Sequence, residues 1–195
     1  MSQVSNTSDH ILACARSLIV TSGYNGFSYA DIADVVGIRK ASIHHHFPSK
    51  VDLVRTLVAR YREDVEAAIA GEERRGTPPL DLLRGYAAYW QACIADGTRP
   101  FCICALLASE MPALPPEVAL EVRAYFRSFS AWLASVMERG AADGTIRLSG
   151  TAQAEAETFM ATVHGAMLSA RAYGDPQAFA AVTQPLIERL SAPHP

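Results

Sequence analysis

The sequence predicts an all-α protein of about nine helices, because its apolar residues recur at helical spacing through most of the chain. Half of the 195 residues are apolar, and we find no run with the alternation of a strand. The longest uninterrupted apolar run, residues 101–108, is much too short to span a bilayer. We therefore expect a globular helical protein with no membrane partner.

The first two helices are marked by capping residues. A cap at residues 7–8 precedes a stripe of apolar positions at helical spacing, which Gly23 ends. Ser28 then opens the second helix, with Asp31 three residues later in the arrangement of a capping box. Gly37 suits the left-handed residue that ends such a helix. These signals predict two short helices separated by glycine turns.

The third helix is predicted over Lys40–His46, because Pro48 disfavours helical backbone in the residue before it. Ser49 caps the fourth helix, predicted over residues 50–70. The later helices are periodic segments between breaks rich in glycine and proline. They are predicted over residues 80–95, 101–110, 117–139, 152–173 and 177–190.

Helices two and three have the pattern of a helix-turn-helix that presents one helix to a DNA groove. The third helix carries basic or short side chains at its start, and apolar ones face its partner helix. Both lysines of the chain, Lys40 and Lys50, lie in this segment. We expect Ser28 and Lys50 to contact phosphates and Arg39–Ser42 to contact base edges. The predicted DNA-binding residues are Ser28, Tyr29, Arg39, Lys40, Ala41, Ser42, His44, His45 and Lys50.

The charge distribution agrees with a DNA-binding head on an acidic body. The net charge is −3, yet residues 1–62 hold seven Lys and Arg against four Asp and Glu. The remaining residues hold ten against sixteen. Local positive charge favours the phosphate backbone even when the whole chain is acidic.

The segment from Gly23 to Lys50 resembles the N-terminal signature of the tetracycline-repressor (TetR) family, G-[YF]-x-G-F-S-x-x-D-I-A-x-x-V-G-[IV]-x-K-x-[ST]-[IL]-x-x-H-F-x-S-K. Two positions depart from the usual pattern, Ala41 in place of Gly and His44 in place of Tyr. A histidine can still donate to a phosphate, and would make affinity depend on pH near neutrality. The matching residues include Gly23, Phe27, Ile32, Ala33, Val36, Gly37, Ile38, Lys40, Ile43, His46, Phe47, Ser49, Lys50 and Leu53.

The resemblance implies a DNA-binding domain over residues 1–52 and an effector-binding and dimerisation domain over residues 53–195. It implies a homodimer on a palindromic operator, released by a small-molecule effector. We interpret the protein as a ligand-responsive transcriptional regulator that acts as a repressor. The predicted dimer contacts lie on the helix over residues 152–173, at Phe159, Met160, Val163 and Met167.

The sequence disfavours two other classes of protein. An enzyme is disfavoured because the chain has no G-x-S-x-G elbow, phosphate loop, paired Cys-x-x-Cys or H-E-x-x-H motif. A helical adaptor that no longer binds DNA is disfavoured by the retained Lys40 and Lys50. No metal is expected at residues 44–46, since consecutive helical residues point about 100° apart. We expect no cofactor.

The four cysteines predict a reducing, cytoplasmic setting, since they lack framework spacing and the chain's start lacks the charge layout of a signal peptide. The stretch from Cys102 to Glu110 is similar to the C-L-x-G-x-L-A-x-E stretch of a TetR subgroup, some of whose members respond to electrophiles or oxidants. Cys102 is therefore a candidate sensor near Arg99, with plain packing as the alternative. The candidate effector-binding residues are Trp90, Cys102, Met111, Tyr125, Phe129, His164 and Met167.

Overall fold

The computed structural model describes residues 2–97 and 101–192, with side chains from residue 7 onward. Within these ranges it contains nine α-helices, one short 3₁₀ turn and no strand, which confirms the all-α prediction. An isolated antiparallel bridge joins Ile146 to Ser191. The helices are α1 (Ser2–Ser22), α2 (Tyr29–Val36), α3 (Lys40–His46), α4 (Lys50–Arg75), α5 (Pro79–Ala95), α6 (Ile103–Ser109), α7 (Pro116–Ala142), α8 (Ala152–Tyr173) and α9 (Gln177–Leu190).

Helix α4 continues five residues beyond its predicted end at residue 70. A single interior glycine, Gly71, is tolerated there, and Arg75 forms an ion pair with Glu72 three residues earlier. The helix ends where Gly76 adopts a positive φ of 66°. Thr77 then donates its hydroxyl to Glu72 at 2.7 Å. The charged residues 72–75, which were predicted to lie outside the helix, thus form its last turn.

The bounds of three other helices differ from prediction. Helix α1 begins at Ser2, ahead of the predicted cap at residues 7–8, and α7 is longer than predicted at both ends. The predicted helix over residues 101–110 is the shorter α6, with a 3₁₀ turn over Met111–Ala113 after it. Arg99 lies outside the described residues.

One compact unit comprises the residues up to Val65 together with Ile103–Tyr125. Within it α1 packs against α2 and α6, and α2 packs against α3. Arg62 of α4 forms an ion pair with Glu121 of α7 at 3.6 Å, and the Tyr61 and Tyr125 rings lie 5.5 Å apart. Its fully buried side chains include Ile11, Ile19, Ile32, Ile43, Leu53 and Val58.

The second compact unit comprises Glu66–Cys102 and the residues from Phe126 on. Helix α8 packs against α9, and α5 contacts both. An aromatic cluster fills its centre, where Tyr86 lies 4.9 Å from Phe129 and 6.2 Å from Phe159 between ring centroids. The division predicted at residues 52 and 53 concerns function and stays a prediction.

None of the helices in the described part of the chain is both long enough and apolar enough to cross a membrane.

Candidate DNA-binding site

Helix α2 begins with the capping box that the sequence predicts. The backbone N–H of Ser28 donates to the Asp31 carboxylate at 2.6 Å, and the Ser28 hydroxyl donates to the same oxygen at 2.8 Å. The Ala30 N–H donates back to the Ser28 hydroxyl at 3.2 Å. These hydrogen bonds from Ser28 lower the pKa of the Asp31 carboxyl below its usual range. The start of α2 is therefore fixed by local bonds.

The turn between α2 and α3 depends on a left-handed glycine. Gly37 has φ of 73°, and its N–H donates to the Ala33 carbonyl at 2.9 Å. The next residue, Ile38, donates to the same carbonyl at 3.1 Å. A side chain at position 37 would have open space around it but would strain the backbone. Glycine here sets the direction in which α3 leaves the turn.

Helix α3 is amphipathic in the way a groove-reading helix requires. Ile43 and, just after the helix, Phe47 are buried against the rest of the unit. The opposite face is exposed or half-buried and carries the predicted groove-reading residues. That face consists of Arg39, Lys40, Ala41, Ser42, His44 and His45.

Tyr29 anchors α3 from beneath. Its hydroxyl donates to the Phe47 carbonyl at 2.9 Å, and its ring meets the His44 ring edge-on at 4.8 Å. Burial, followed by the charge of Asp52 and the neighbouring Tyr24, raises the pKa of the Tyr29 phenol to about 12. The buried, protonated phenol thus works as a hydrogen-bond donor within the protein.

His44 is exposed and has one ring nitrogen engaged. Its Nδ1 lies 3.1 Å from the Pro48 carbonyl oxygen, to which a protonated Nδ1 donates. No group of three or more potential metal ligands is found among the described residues.

Lys50 lies at the first turn of α4, and its side chain points into the first compact unit. Its Nζ donates to the Phe27 carbonyl at 2.5 Å and lies over the rings of Tyr24, at 4.9 Å, and Phe27, at 4.1 Å. Burial lowers the pKa of this ammonium, while Asp31 and Glu110 act in the opposite direction. An ammonium has three donors, so one bond to a carbonyl leaves capacity for a phosphate.

Glu110 is a residue of this region that sequence reasoning missed. One oxygen of its carboxylate accepts the backbone N–H of Tyr24 at 2.8 Å. The available signal was the final glutamate of the C-L-x-G-x-L-A-x-E stretch.

The candidate effector residues are divided between the two units. Met111 and Tyr125 belong to the first, and Trp90, Cys102, Phe129, His164 and Met167 to the second. Trp90 and Phe129 both approach the ring of Tyr86, with centroids at 6.4 and 4.9 Å. His164 lies against Phe126 at 5.6 Å.

The candidate dimer residues lie inside the chain. Phe159, Val163 and Met167 are fully buried and Met160 is 6 % exposed, so they can support a dimer surface but offer little of it. The large apolar side chains exposed on α8 and α9 are Leu168, Tyr173 and Val182.

All four cysteines are buried. Cys102 lies directly before α6 with no exposed surface, and Cys104 is equally buried. Burial, together with the charge of Asp31, raises the pKa of the Cys14 thiol. Buried thiols of this kind are poor nucleophiles.

Comparison with known proteins agrees with this geometry. The family model of bacterial regulatory proteins, tetR family, matches residues 11–57. A second model, the tetracyclin repressor-like C-terminal domain, matches residues 79–186, which is more than half of the chain.

Three relatives illustrate the likeness. A TetR-family transcriptional regulator from Agrobacterium tumefaciens is 62 % identical, with a TM-score of 0.93 over 97 % of this chain and 100 % of its own. A TetR regulator from Legionella pneumophila is 26 % identical, with a TM-score of 0.82 over 93 % and 96 %. The repressor KstR2 from Mycolicibacterium smegmatis is 28 % identical over 75 % of this chain and 70 % of its own.

The match to a further KstR2, from Rhodococcus jostii, spans 66 % of that protein's length, just under two thirds. These relatives are transcription regulators, and the two family models together cover the helix-turn-helix head and the helical region after it. The chain belongs to the TetR family of bacterial regulatory proteins.

Proposed function

We propose that this protein is a ligand-responsive transcriptional repressor that binds a palindromic operator as a homodimer. The observation that carries the proposal is α3, whose exposed face holds Arg39, Lys40 and Ala41 while Ile43 is buried. A capping box and a left-handed glycine hold this helix and its partner. A rigid helix with basic and small side chains toward solvent is suited to a major groove.

The geometry supports a proposal of two kinds of DNA contact. Lys40 and Ser42 lie at the exposed start of α3, where side chains reach base edges. Ser28 and Lys50 lie at helix N-termini, which favour phosphate oxygens. His44 is exposed in the last turn of α3, and its ring can donate to a phosphate. With Nδ1 of His44 near a carbonyl, Nε2 is the ring nitrogen that would meet a phosphate.

Dimerisation through α8 and α9 is supported by an apolar stripe on α8. Ala161, Gly165 and Leu168 are exposed and follow one another at helical spacing. Added side-chain volume at Gly165 would meet nothing within 4 Å in the single chain. This face would let two copies of α8 approach closely across a two-fold axis, with the buried predicted residues supporting it from behind.

The effector region is proposed in the second unit, around the aromatic cluster. Trp90 is 1 % exposed, and its indole Nε1 has no hydrogen-bond partner among the described residues. A buried donor without a partner is costly, so an effector oxygen that accepts from it would be favoured. The surrounding rings favour a largely apolar effector.

A response to oxidants through Cys102 is the weaker candidate, because that thiol has no exposed surface. If the response exists, C102S and C102A proteins will keep operator binding in mild oxidant, whereas the native protein releases it. Equal behaviour of all three proteins would remove this candidate.

The test of the main proposal is selection of bound sequences from a random DNA pool. The enriched duplex should be palindromic, with half-sites about one helical turn apart or a small multiple of that. It should compete against bulk DNA in a gel shift whose affinity falls with salt. An adaptor that has lost DNA binding would enrich no sequence.

A further inference from the structure

The turn between α1 and α2 is held by a residue 86 positions away in the sequence. The Tyr24 N–H donates at 2.8 Å to Oε2 of Glu110, which directly follows α6. The bond is part-buried, so it is shielded from competing water. Hydrogen bonds to an ionised acceptor in such a setting are about twice as strong as neutral ones.

The turn is shaped to receive this carboxylate. Gly23 has φ of 76°, and a Cβ placed there would lie 2.2 Å from Oε1 and 3.2 Å from Oε2 of Glu110. Glycine therefore serves twice, since it permits the left-handed backbone and leaves the space that the carboxylate fills. The carboxylate is seated against the backbone at Gly23 and Tyr24.

Tyr24 connects Glu110 to Lys50, because its N–H bonds to the first and its ring contacts the second. Its ring lies 4.9 Å from Nζ of Lys50, and Lys50 also donates to the Phe27 carbonyl in the same turn region. Tyr24 itself is 6 % exposed, so its ring has little freedom. A shift of the Tyr24 backbone would therefore move the group against which Lys50 packs.

We propose that Glu110 is a positioning residue for DNA binding, which fixes the α1–α2 turn and, through Tyr24, the ammonium of Lys50. This role rests on the proposed function, because it concerns the same DNA-binding head. The contact ties the end of α6 to the head within a single compact unit. Release of Glu110 from the turn would weaken operator binding without removing any residue that touches DNA.

The test compares E110A, E110Q and the control E117A. Glu117 is an exposed carboxylate of the same chain segment, so its removal changes the charge equally. The probe is the duplex enriched from a random pool by the native protein. We expect E110A to lower the affinity about tenfold, the scale of a lost hydrogen bond to a charged group. E110Q keeps an acceptor oxygen and should lose much less, and E117A should behave as the native protein.

A double-mutant cycle with K50A separates positioning from general destabilisation. If Glu110 acts through Lys50, E110A will cost much less affinity in the K50A background than in the native one. Losses that multiply independently would overturn the proposal. Equal affinity of E110A and native protein would also overturn it, and the DNA-binding function would stand.

Amide exchange of Tyr24 tests the contact without DNA. We expect E110A to accelerate exchange of this N–H at least tenfold relative to other protected amides of α1. Unchanged exchange would overturn the proposal even if the native protein enriched no duplex. Failure to enrich a duplex, with accelerated exchange in E110A, would count against the proposed function and leave the contact itself supported.

Discussion

At the scale of single residues, Lys50 makes inward contacts in addition to its proposed contact with a phosphate. Its ammonium bonds to the Phe27 carbonyl and lies over two aromatic rings. The sequence placed Lys50 at a helix start, where a phosphate contact is a natural expectation. The contacts of Lys50 with Tyr24 and Phe27 could not be predicted from the sequence. They arise only when the chain folds back, because these residues lie more than 20 positions before Lys50. Lys40, by comparison, is exposed at the start of α3.

The two lysines should therefore respond differently to truncation. K50A removes a charged hydrogen bond and two ring contacts, so we expect a loss of about 1–2 kcal/mol in the free energy of unfolding. K40A should leave the free energy of unfolding unchanged. Chemical denaturation of both variants measures this difference, and equal stability would contradict the inward role of Lys50.

DNA binding should separate the same two variants in another way. If Lys40 reads bases, K40A will weaken binding to the operator more than binding to bulk DNA. K50A should weaken both by similar factors, because a phosphate contact carries no sequence information. Parallel titrations against the enriched duplex and against random DNA give the two ratios. Equal ratios for the two variants would refute the proposed division.

At the scale of elements, the helices with sharp end signals were predicted best. Lys40–His46 and Ala152–Tyr173 match their predicted bounds, because proline and glycine stand at their ends. The predicted end of α4 was wrong. The Arg75–Glu72 ion pair and the hydrogen bond from the Thr77 hydroxyl to Glu72 support helix in a segment whose charged and glycine residues are typical of a loop. The contact of Glu110 was not predicted because its partner is the backbone N–H of Tyr24. Every residue except proline carries this group, so no residue type in the sequence marks the partner.

The stripe on α8 predicts the effect of a charge at the proposed dimer face. Leu168 is 59 % exposed and Leu120, on α7, is 58 % exposed, so the two form a matched pair. We expect L168E to yield monomers, because a charge buried at the two-fold contact has no counter-charge. L120E should remain dimeric. Light scattering after size exclusion measures the mass, and a dimeric L168E would contradict the proposed face.

Acid should loosen the contact between α8 and α9. Burial raises the pKa of the Glu155 carboxyl, but hydrogen bonds from Arg189 and from the Ser149 N–H lower this pKa by more. The net result is a pKa below the usual value. Because the pKa is lower in the folded state, the ionised carboxylate stabilises the fold at pH values above its unfolded pKa of about 4.3. This stabilisation is lost as the pH falls through the folded-state pKa. Thermal unfolding from pH 6 to 3 should show this loss. E155Q should be less stable at pH 6 and show a flatter profile.

At the scale of the whole molecule, the distribution of charge is compatible with the proposed binding of DNA by an acidic protein. The excess of basic residues lies in the first 62 residues, and the acidic excess in the rest. The fold class and the head were predictable because both depend on local patterns along the chain. The pairing of Ile103–Tyr125 with the first 65 residues was not, since it joins segments far apart in sequence.

The salt dependence of binding should report how many heads engage DNA. The logarithm of the binding constant falls by about 0.9 per neutralised phosphate for each unit of log salt. A dimer with two identical heads should show about twice the slope of L168E, if that variant is monomeric. Equal slopes would indicate that one head alone touches the duplex.

The burial of all four cysteines has a practical consequence for watching this protein at work. A maleimide dye reacts with exposed thiolates, and the native thiols are held away from solvent. A single cysteine introduced at an exposed site, such as Asp34 on α2, should therefore take a label selectively in the otherwise unaltered chain. Distances between two such labels in a dimer would reveal how far the heads separate when an effector is added.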